Sequence, residues 1–197
     1  MRIRPYRESD LERLYHICLA TGDNGKDSSH LYSDPNLVGA MYAAPYAIFE
    51  PELCFVLADG DDIAVGYILG TKDTATFGQR CEIDWYPPLR EKFPLLAEDD
   101  QSAEAILRRS IHRGQETKNW FPDYPAHLHI DILPEGQGGG WGRKMMELFW
   151  DKLRSIDVSG VHLGVSKQNR NAVSFYHHIG FETLSDHTWG YTLGKRL

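Results

Sequence analysis

Apolar positions recur at two different spacings along this chain, and the alternation between them sets out its elements. Period-two stretches at residues 2–6, 53–58 and 63–71 read as strands, the last two joined through Asp59-Gly60-Asp61-Asp62 as a hairpin. Residues 80–85, Arg-Cys-Glu-Ile-Asp-Trp, alternate in the same way and predict a further strand. Helical spacing governs Leu11, Leu14, Tyr15 and Cys18, with Ser9 and Glu12 in capping-box order ahead of them. A loop rich in Gly, Asp and Ser follows over 21–33, then a short helix at 35–43. Residues 87–125 are too long for a simple connection and carry one helix at 102–117 between proline-containing ends. Insertions of this kind more often shape a pocket than merely link elements. Beyond it come strand 127–133, helix 140–156, strand 160–165, helix 170–179 and a terminal hairpin over 181–193. That order predicts an α/β fold in which strands 127–133 and 160–165 are parallel neighbours, within one domain spanning 1–197.

Composition narrows the function classes. A chain of 197 residues with 42% hydrophobic and 25% charged residues has the balance of a globular protein with a real core. No apolar run approaches membrane-span length, and Met1-Arg2-Ile3-Arg4-Pro5 lacks the apolar core of a signal peptide, so no membrane partner is expected. Cys18, Cys54 and Cys81 are odd in number and widely spaced in apolar segments. They read as buried core thiols in a reducing compartment, which makes the cytoplasm the expected location. A net charge of −7 without a basic stripe argues against nucleic acid and is compatible with a cationic acceptor.

The candidate chemistry begins at Leu133-Pro134-Glu135-Gly136-Gln137-Gly138-Gly139-Gly140-Trp141-Gly142-Arg143-Lys144, a glycine-rich turn between a strand and a helix. Bare amides in such a turn, with the positive end of a helix dipole behind them, make an anion site. Two phosphate loops fail on residues they require. The chain has no Gly-Lys-Ser or Gly-Lys-Thr, and GxGxxG started from Gly136, Gly138 or Gly140 ends on Trp141, Arg143 or Met145. What remains is Gln137-x-x-Gly140-x-Gly142. Downstream runs Asn169-x-x-Ala172-x-x-Phe175-Tyr176-x-x-x-Gly180-Phe181, with Ala172, Phe175, Tyr176 and Ile179 at helical spacing and Gly180 at a helix C-terminus.

These two half-motifs, in this order, resemble the signature of the GNAT superfamily of acetyl-CoA-dependent N-acyltransferases. The stretch from Thr21 to Tyr32, with Asp34-Pro35, Ala44-Pro45-Tyr46 and residues 124–134, is similar to a bacterial subgroup related to the acetyltransferase-like C-terminal domain of animal O-GlcNAc hydrolases. The resemblance implies a GNAT fold: a mixed central β-sheet with helices on both faces and a splay between strands 127–133 and 160–165. It implies acetyl transfer from acetyl-CoA, a co-substrate, directly to an amine, small or protein-borne, without a metal. Ile132 and Leu133 would pair with the pantetheine arm, and an amide within 130–132 would face the thioester. Gln137, Gly138, Gly139, Gly140, Trp141, Gly142, Arg143, Lys144, Asn169 and Tyr176 would complete the cofactor site, with Lys167 and Arg170 adding positive charge. Tyr176 matches the position of the phenol that protonates the leaving thiolate. A glutamate common near the start of strand 127–133 is absent here, where Ala126 stands.

In its place the strand offers His127-x-His129-x-Asp131 on one face. Asp131 and His129 are the candidate bases, followed by Asp84; Asp27, Tyr32, Asp84 and Trp85 are the candidate acceptor-side residues. A homodimer is compatible with this reading. Two rival readings stand beside it. One is a degenerate module that binds acetyl-CoA or a protein without catalysis. The other is a metal-dependent hydrolase using His127, His129 and Asp131 as ligands.

Overall fold

The computed structural model describes residues 1–114, 116 and 118–197. Strand β1 (Arg2–Pro5) is followed by helix α1 (Leu11–Thr21). The turn into α1 is fastened by Asp10, whose carboxylate accepts the Arg7 amide at 2.8 Å and a two-pronged bond from Arg4 at 2.7 and 2.8 Å. The Ser9/Glu12 box expected there is replaced by this ionic clamp, because a buried arginine fork binds a carboxylate more strongly than a hydroxyl caps an amide. Leu14, Ile17 and Cys18 are the buried face of α1, while Leu11 and Tyr15 are only half-buried.

The short helix expected at 35–43 is two helices, α2 (Leu37–Tyr42) and α3 (Ala44–Phe49). The chain breaks at Ala43, with φ −131° and ψ −59°, and Pro45 lies in the first turn of α3, where its missing N–H costs nothing. The break turns Tyr46 inward. Strands β2 (Phe55–Ala58) and β3 (Ala64–Thr71) form the expected hairpin.

Residues 80–85 are not a strand. Helix α4 (Thr74–Arg80) runs through a wide π turn at Cys81–Trp85 into α5 (Tyr86–Lys92). Asp73 starts this stack by accepting the Thr76 amide at 2.7 Å. Phe77, Cys81 and Tyr86 are the buried apolar side chains, so the inward spacing lengthens from four to five across the π turn. The extra residue loosens the ladder just where Pro87 and Pro88 can supply no N–H. The polar–apolar alternation of Cys-Glu-Ile-Asp-Trp is incidental, and Ile83 is 74% exposed.

Helix α6 (Ala103–Arg113) is capped by Ser102, which accepts the Ala105 amide at 3.2 Å. The expected end of this helix at Thr117 lies outside the described residues. There follow β4 (Ala126–Ile132), α7 (Trp141–Arg154), β5 (Gly160–Ser166), α8 (Arg170–His178), β6 (Glu182–Asp186) and β7 (Gly190–Arg196).

The seven strands form one mixed sheet in the order β1-β2-β3-β4-β5-β7-β6. Every pair is antiparallel except β4–β5. Along β4, the odd-numbered side chains face α1 and α3; the opposite face is covered by α7. Contact with α7 is close at Gly70 of β3, where a Cβ would stand 2.5 Å from both the Phe149 ring and the His127 carbonyl oxygen. Alanine is favoured over glycine in a strand by about 0.5–1 kcal/mol, but overpacking costs about 1–3 kcal/mol. Gly70→Ala is therefore expected to destabilise, lowering the urea midpoint, and an unchanged or raised midpoint would contradict the packing described.

Strands β4 and β5 pair only at Ala126↔Val161 and His127↔His162. Beyond those positions each is held by its outer neighbour: β4 stays paired to β3 as far as Ile132, and β5 to β7 as far as Ser166. The sheet splays between them toward the Leu133 end. Among the described residues no helix is long and apolar enough to cross a membrane.

Candidate active site

The splay leaves backbone groups facing open space, and the register shows which. The Leu133 amide donates to Val65 in β3 at 2.8 Å. N–H groups alternate sides along a strand, so Asp131 also turns its amide to β3 while Ile130 and Ile132 turn theirs into the splay. Leu133 is thereby removed as a pairing position, since its carbonyl is also taken, by the Gly136 amide at 2.8 Å. The carbonyl of Ile132 accepts the Gln137 side-chain amide at 2.9 Å, which ties the glycine turn to the strand end. Ile130 and the Ile132 amide remain as the free polar edge of β4.

At the end of β4 the chain passes through Gly138, Gly139 and Gly140 at φ 81°, 57° and 73°, three successive left-handed residues. Side-chain residues pay about 1–2 kcal/mol each for that conformation. A Cβ on Gly138 or Gly140 would meet nothing within 4 Å, so conformation and not internal packing requires these glycines. The run ends as the N-cap of α7, and among the described residues the amides of Gly138, Gly139 and Gly140 have no hydrogen-bond partner. At Gly142 a Cβ would lie 3.5 Å from the Phe175 ring, an ordinary contact. Trp141 is half-buried with Lys144 4.3 Å over its ring, and Arg143 pairs with Glu147 at 2.8 Å on the exposed side. Free amides at a helix N-terminus beside an open strand edge fit a pyrophosphate and a pantetheine arm, the two parts of coenzyme A that need such groups.

On the α1 side of the sheet the splay opens into a cleft of about 450 Å³. Its walls include Leu128–Asp131 of β4, Leu163–Ser166 of β5, and Asn169, Ala172 and Tyr176 of α8, with Cys18, Thr21, Tyr32 and Tyr42 opposite. Among the described residues no lysine or arginine lines it, and Asp131 is the one carboxylate that does. Asp131 accepts the Tyr67 hydroxyl at 2.6 Å; burial raises its carboxyl above the ordinary range and the Tyr67 bond pulls back. His129 is lowered to about 4 by burial and by His162, so it is neutral near pH 7. The Tyr176 ring is buried, its hydroxyl makes no hydrogen bond among the described residues, and burial together with the Asp131 charge raises its pKa. Asn169 lines the cleft while capping α8, accepting the Ala172 amide at 3.1 Å.

Other expected residues stand elsewhere. Asp84 is exposed on the π turn, and Trp85 donates its indole N–H to the Ala40 carbonyl at 2.8 Å as packing against α2 and α3. Both were placed by the mistaken strand, and neither lines the cleft. Asp27 is exposed and holds Ser29 through its amide at 3.1 Å and hydroxyl at 2.7 Å, shaping the loop from outside. Lys167 is bound to Asp186 at 2.5 Å and to the His187 carbonyl at 2.7 Å. Tyr32 does line the cleft. His127 and His129 both turn Nε2 to the Tyr46 hydroxyl, at 2.7 and 3.1 Å, while Asp131 faces Tyr67, so the triplet does not converge on one point. Among the described residues no group of three or more His, Cys, Asp or Glu side chains is arranged to hold a metal ion.

Sequence reasoning missed Tyr46, Tyr67, Tyr42 and Trp189. Trp189, 59% exposed on the β6–β7 turn, reaches across the mouth so that a Cβ on Gly164 would lie 3.2 Å from its ring. Beyond it the cleft continues outward over Ala103, Ile106, Leu107 and Ser110 of α6, which brings the insertion into the cleft wall.

Comparison with known proteins agrees with this geometry. The profile of the acetyltransferase (GNAT) family matches residues 93–181. The crystal structure of SsHAT superposes with a TM-score of 0.90 at 38% sequence identity, covering 99% of this chain and 97% of that one. The chain belongs to the acetyltransferase (GNAT) family. Protein O-GlcNAcase of Rattus norvegicus is 29% identical over 181 residues, which is 90% of this chain but 20% of that protein. The chain thus spans about a fifth of the length of the curated relatives it matches. PaiA N-acetyltransferase from Thermoplasma acidophilum, solved in complex with coenzyme A, shares the GNAT fold at a TM-score of 0.56 and 15% identity, covering 100% of this chain and 98% of that one. The splay and glycine turn are therefore placed in a fold whose neighbours bind coenzyme A.

Proposed function

We propose that this chain is an acetyl-CoA-dependent N-acetyltransferase that moves the acetyl group directly to a cationic amine. The observation that carries the reading is the divergence of β4 from β5, with its free edge at Ile130 and Ile132, between the left-handed glycine turn and a cleft containing Asp131, His129 and Tyr176. Acetyl-CoA supplies an acetyl thioester. Gly138 to Gly140 and the first turn of α7 offer amides to its phosphates, and the edge of β4 offers amides to its pantetheine arm and thioester carbonyl.

An amine reaches the cleft as an ammonium, and the lining favours that charge because, among the described residues, Asp131 is met there by no lysine or arginine. The ammonium first gives up one proton, to Asp131 or the neutral His129, which frees its lone pair to attack. As the C–N bond forms and the C–S bond breaks, the nitrogen loses a second proton to the other of these bases and the sulfur gains one from the Tyr176 phenol. Direct transfer is favoured over an acyl-cysteine route, since burial pushes the thiol of Cys18 up to about 12 and leaves no thiolate to attack.

The test is calorimetry with acetyl-CoA together with thiol release on a panel of polyamines, amino sugars and peptide amines. Binding with turnover of at least one amine supports the reading. Binding without turnover of any would leave the module reading in its place. Asp131 sharpens the test. A base must be ionised, so the rate rises with pH through the raised Asp131 ionisation and is lost below it. Asp131→Asn should remove that acidic limb and lower turnover by roughly 10²-fold, the lower end for a general base because His129 remains. An unchanged limb would assign it to another group.

A further inference from the structure

A string of hydrogen bonds runs behind the cleft from His129 to the main chain, and its direction is determined from one end. Thr74 Oγ1 lies 2.7 Å from the Pro125 carbonyl oxygen, which only accepts, so the Thr74 proton is spent there. His127 Nδ1, 2.8 Å from the same Oγ1, must then carry a hydrogen and donate. Burial, His162 and His129 hold His127 neutral, so its Nε2 is a bare lone pair. The Tyr46 hydroxyl, 2.7 Å away, must donate to it. A hydroxyl has one proton, so His129 Nε2 at 3.1 Å must donate to the Tyr46 oxygen. That leaves Nδ1 of His129 as the unprotonated nitrogen, with no partner among the described residues, on a ring that lines the cleft.

We propose that Thr74, His127 and Tyr46 are positioning residues that lock His129 into its Nε2–H tautomer, so that bare Nδ1 is the proton acceptor offered to the acceptor amine. The proposal rests on the transferase reading for its purpose and on hydrogen-bond geometry for its existence. The fold supports the string from three directions. His127 and His129 come from one face of β4, Tyr46 from α3, and Thr74 from the start of α4. Tyr46 is 5% exposed and stacked on Phe77 with ring centroids 4.5 Å apart, so its hydroxyl has little freedom to turn elsewhere. His162 is the other imidazole near His127, with centroids 5.6 Å apart. Its Nδ1 is fixed on the Tyr124 carbonyl at 2.8 Å, which keeps it outside the string. On His127 the Nδ1–H form is imposed by Thr74. Without that hydroxyl the whole string is free to reverse: His127 Nε2–H donates to Tyr46, Tyr46 donates to His129 Nε2, and the His129 hydrogen moves to Nδ1.

The experiment is ¹⁵N NMR of the imidazole nitrogens in the intact protein near neutral pH, which reads each tautomer without substrate. The wild type should show His129 protonated on Nε2 and His127 on Nδ1. Thr74→Val, which removes one hydroxyl from a residue that does not line the cleft, should move the His129 hydrogen to Nδ1; Thr74→Ser should restore the wild-type pattern. In the same variants kcat for an accepted amine should fall and recover with the tautomer, while acetyl-CoA affinity stays level. A wild-type His129 protonated on Nδ1, or a Thr74→Val protein with unchanged His129 shifts, overturns the proposal. Failure of the transferase reading shows separately, as no acetyl-CoA binding in a protein whose tautomers are as stated.

Discussion

Gly140→Trp should bind acetyl-CoA at least 10²-fold more weakly than the wild type while unfolding at a similar denaturant concentration. The two halves of that expectation have different causes. A Cβ at Gly140 meets nothing within 4 Å, so the folded protein has room for the side chain and loses no packing. The backbone is the problem, because φ there is 73° and a residue with a Cβ pays about 1–2 kcal/mol to hold it. Much of that strain is relieved if the turn relaxes at the surface, and the relaxed turn no longer holds the unpartnered amides of Gly138, Gly139 and Gly140 in place. Hydrogen bonds to a charged group are worth about 1.5–3 kcal/mol each, so losing two amounts to about 10²–10⁴-fold in affinity. The indole would also occupy space the phosphates need. Calorimetry and a urea titration on the same preparation read both halves. Wild-type affinity in Gly140→Trp would remove the glycine turn from the cofactor site.

This part of the site was legible in the sequence because its chemistry depends on local spacing. Three glycines between a strand and a helix say where bare amides will be, and Asn169 through Phe181 says where the neighbouring helix lies, whatever the rest of the chain does. The splay followed from the family resemblance that these two motifs carry. The acceptor side was less legible for a physical reason. Tyr46 meets His127 and His129 across 81 and 83 residues, and Tyr67 meets Asp131 across 64, so only the assembled sheet brings them together. The sequence places His129 and Asp131 on one face of a strand but does not show that one hydroxyl orients the first and another restrains the second. Residues 80–85 misled for the opposite reason. Their local pattern is clear and the fold overrides it, since a π turn preceding two prolines puts Asp84 and Ile83 in solvent. The acceptor candidates taken from that false strand fell with it. Tyr32, which came from the loop instead, lies on the cleft wall.

Tyr176→Phe separates a catalyst from a binder. The phenol lines the cleft and makes no hydrogen bond among the described residues, so removing its oxygen breaks nothing that holds the fold. Stability and acetyl-CoA affinity should both stay near wild type. Tyr67→Phe is the contrast, because it strips the half-buried Asp131 carboxylate of its 2.6 Å partner and should destabilise the protein by about 1–3 kcal/mol. Burial and the Asp131 charge raise the Tyr176 pKa, so the phenol keeps its proton across the working range and is always ready to give it. If that proton goes to the departing sulfur, turnover of an accepted amine should fall by roughly 10²–10⁴-fold in Tyr176→Phe. The loss should shrink for thioesters whose thiols are more acidic, since a better leaving group needs less help. A Tyr176→Phe enzyme with wild-type turnover would make Tyr176 a wall of the cleft, with the thiolate leaving unassisted. The glycine turn would stand unaffected, because phosphate binding and thiolate protonation draw on different ends of the splay.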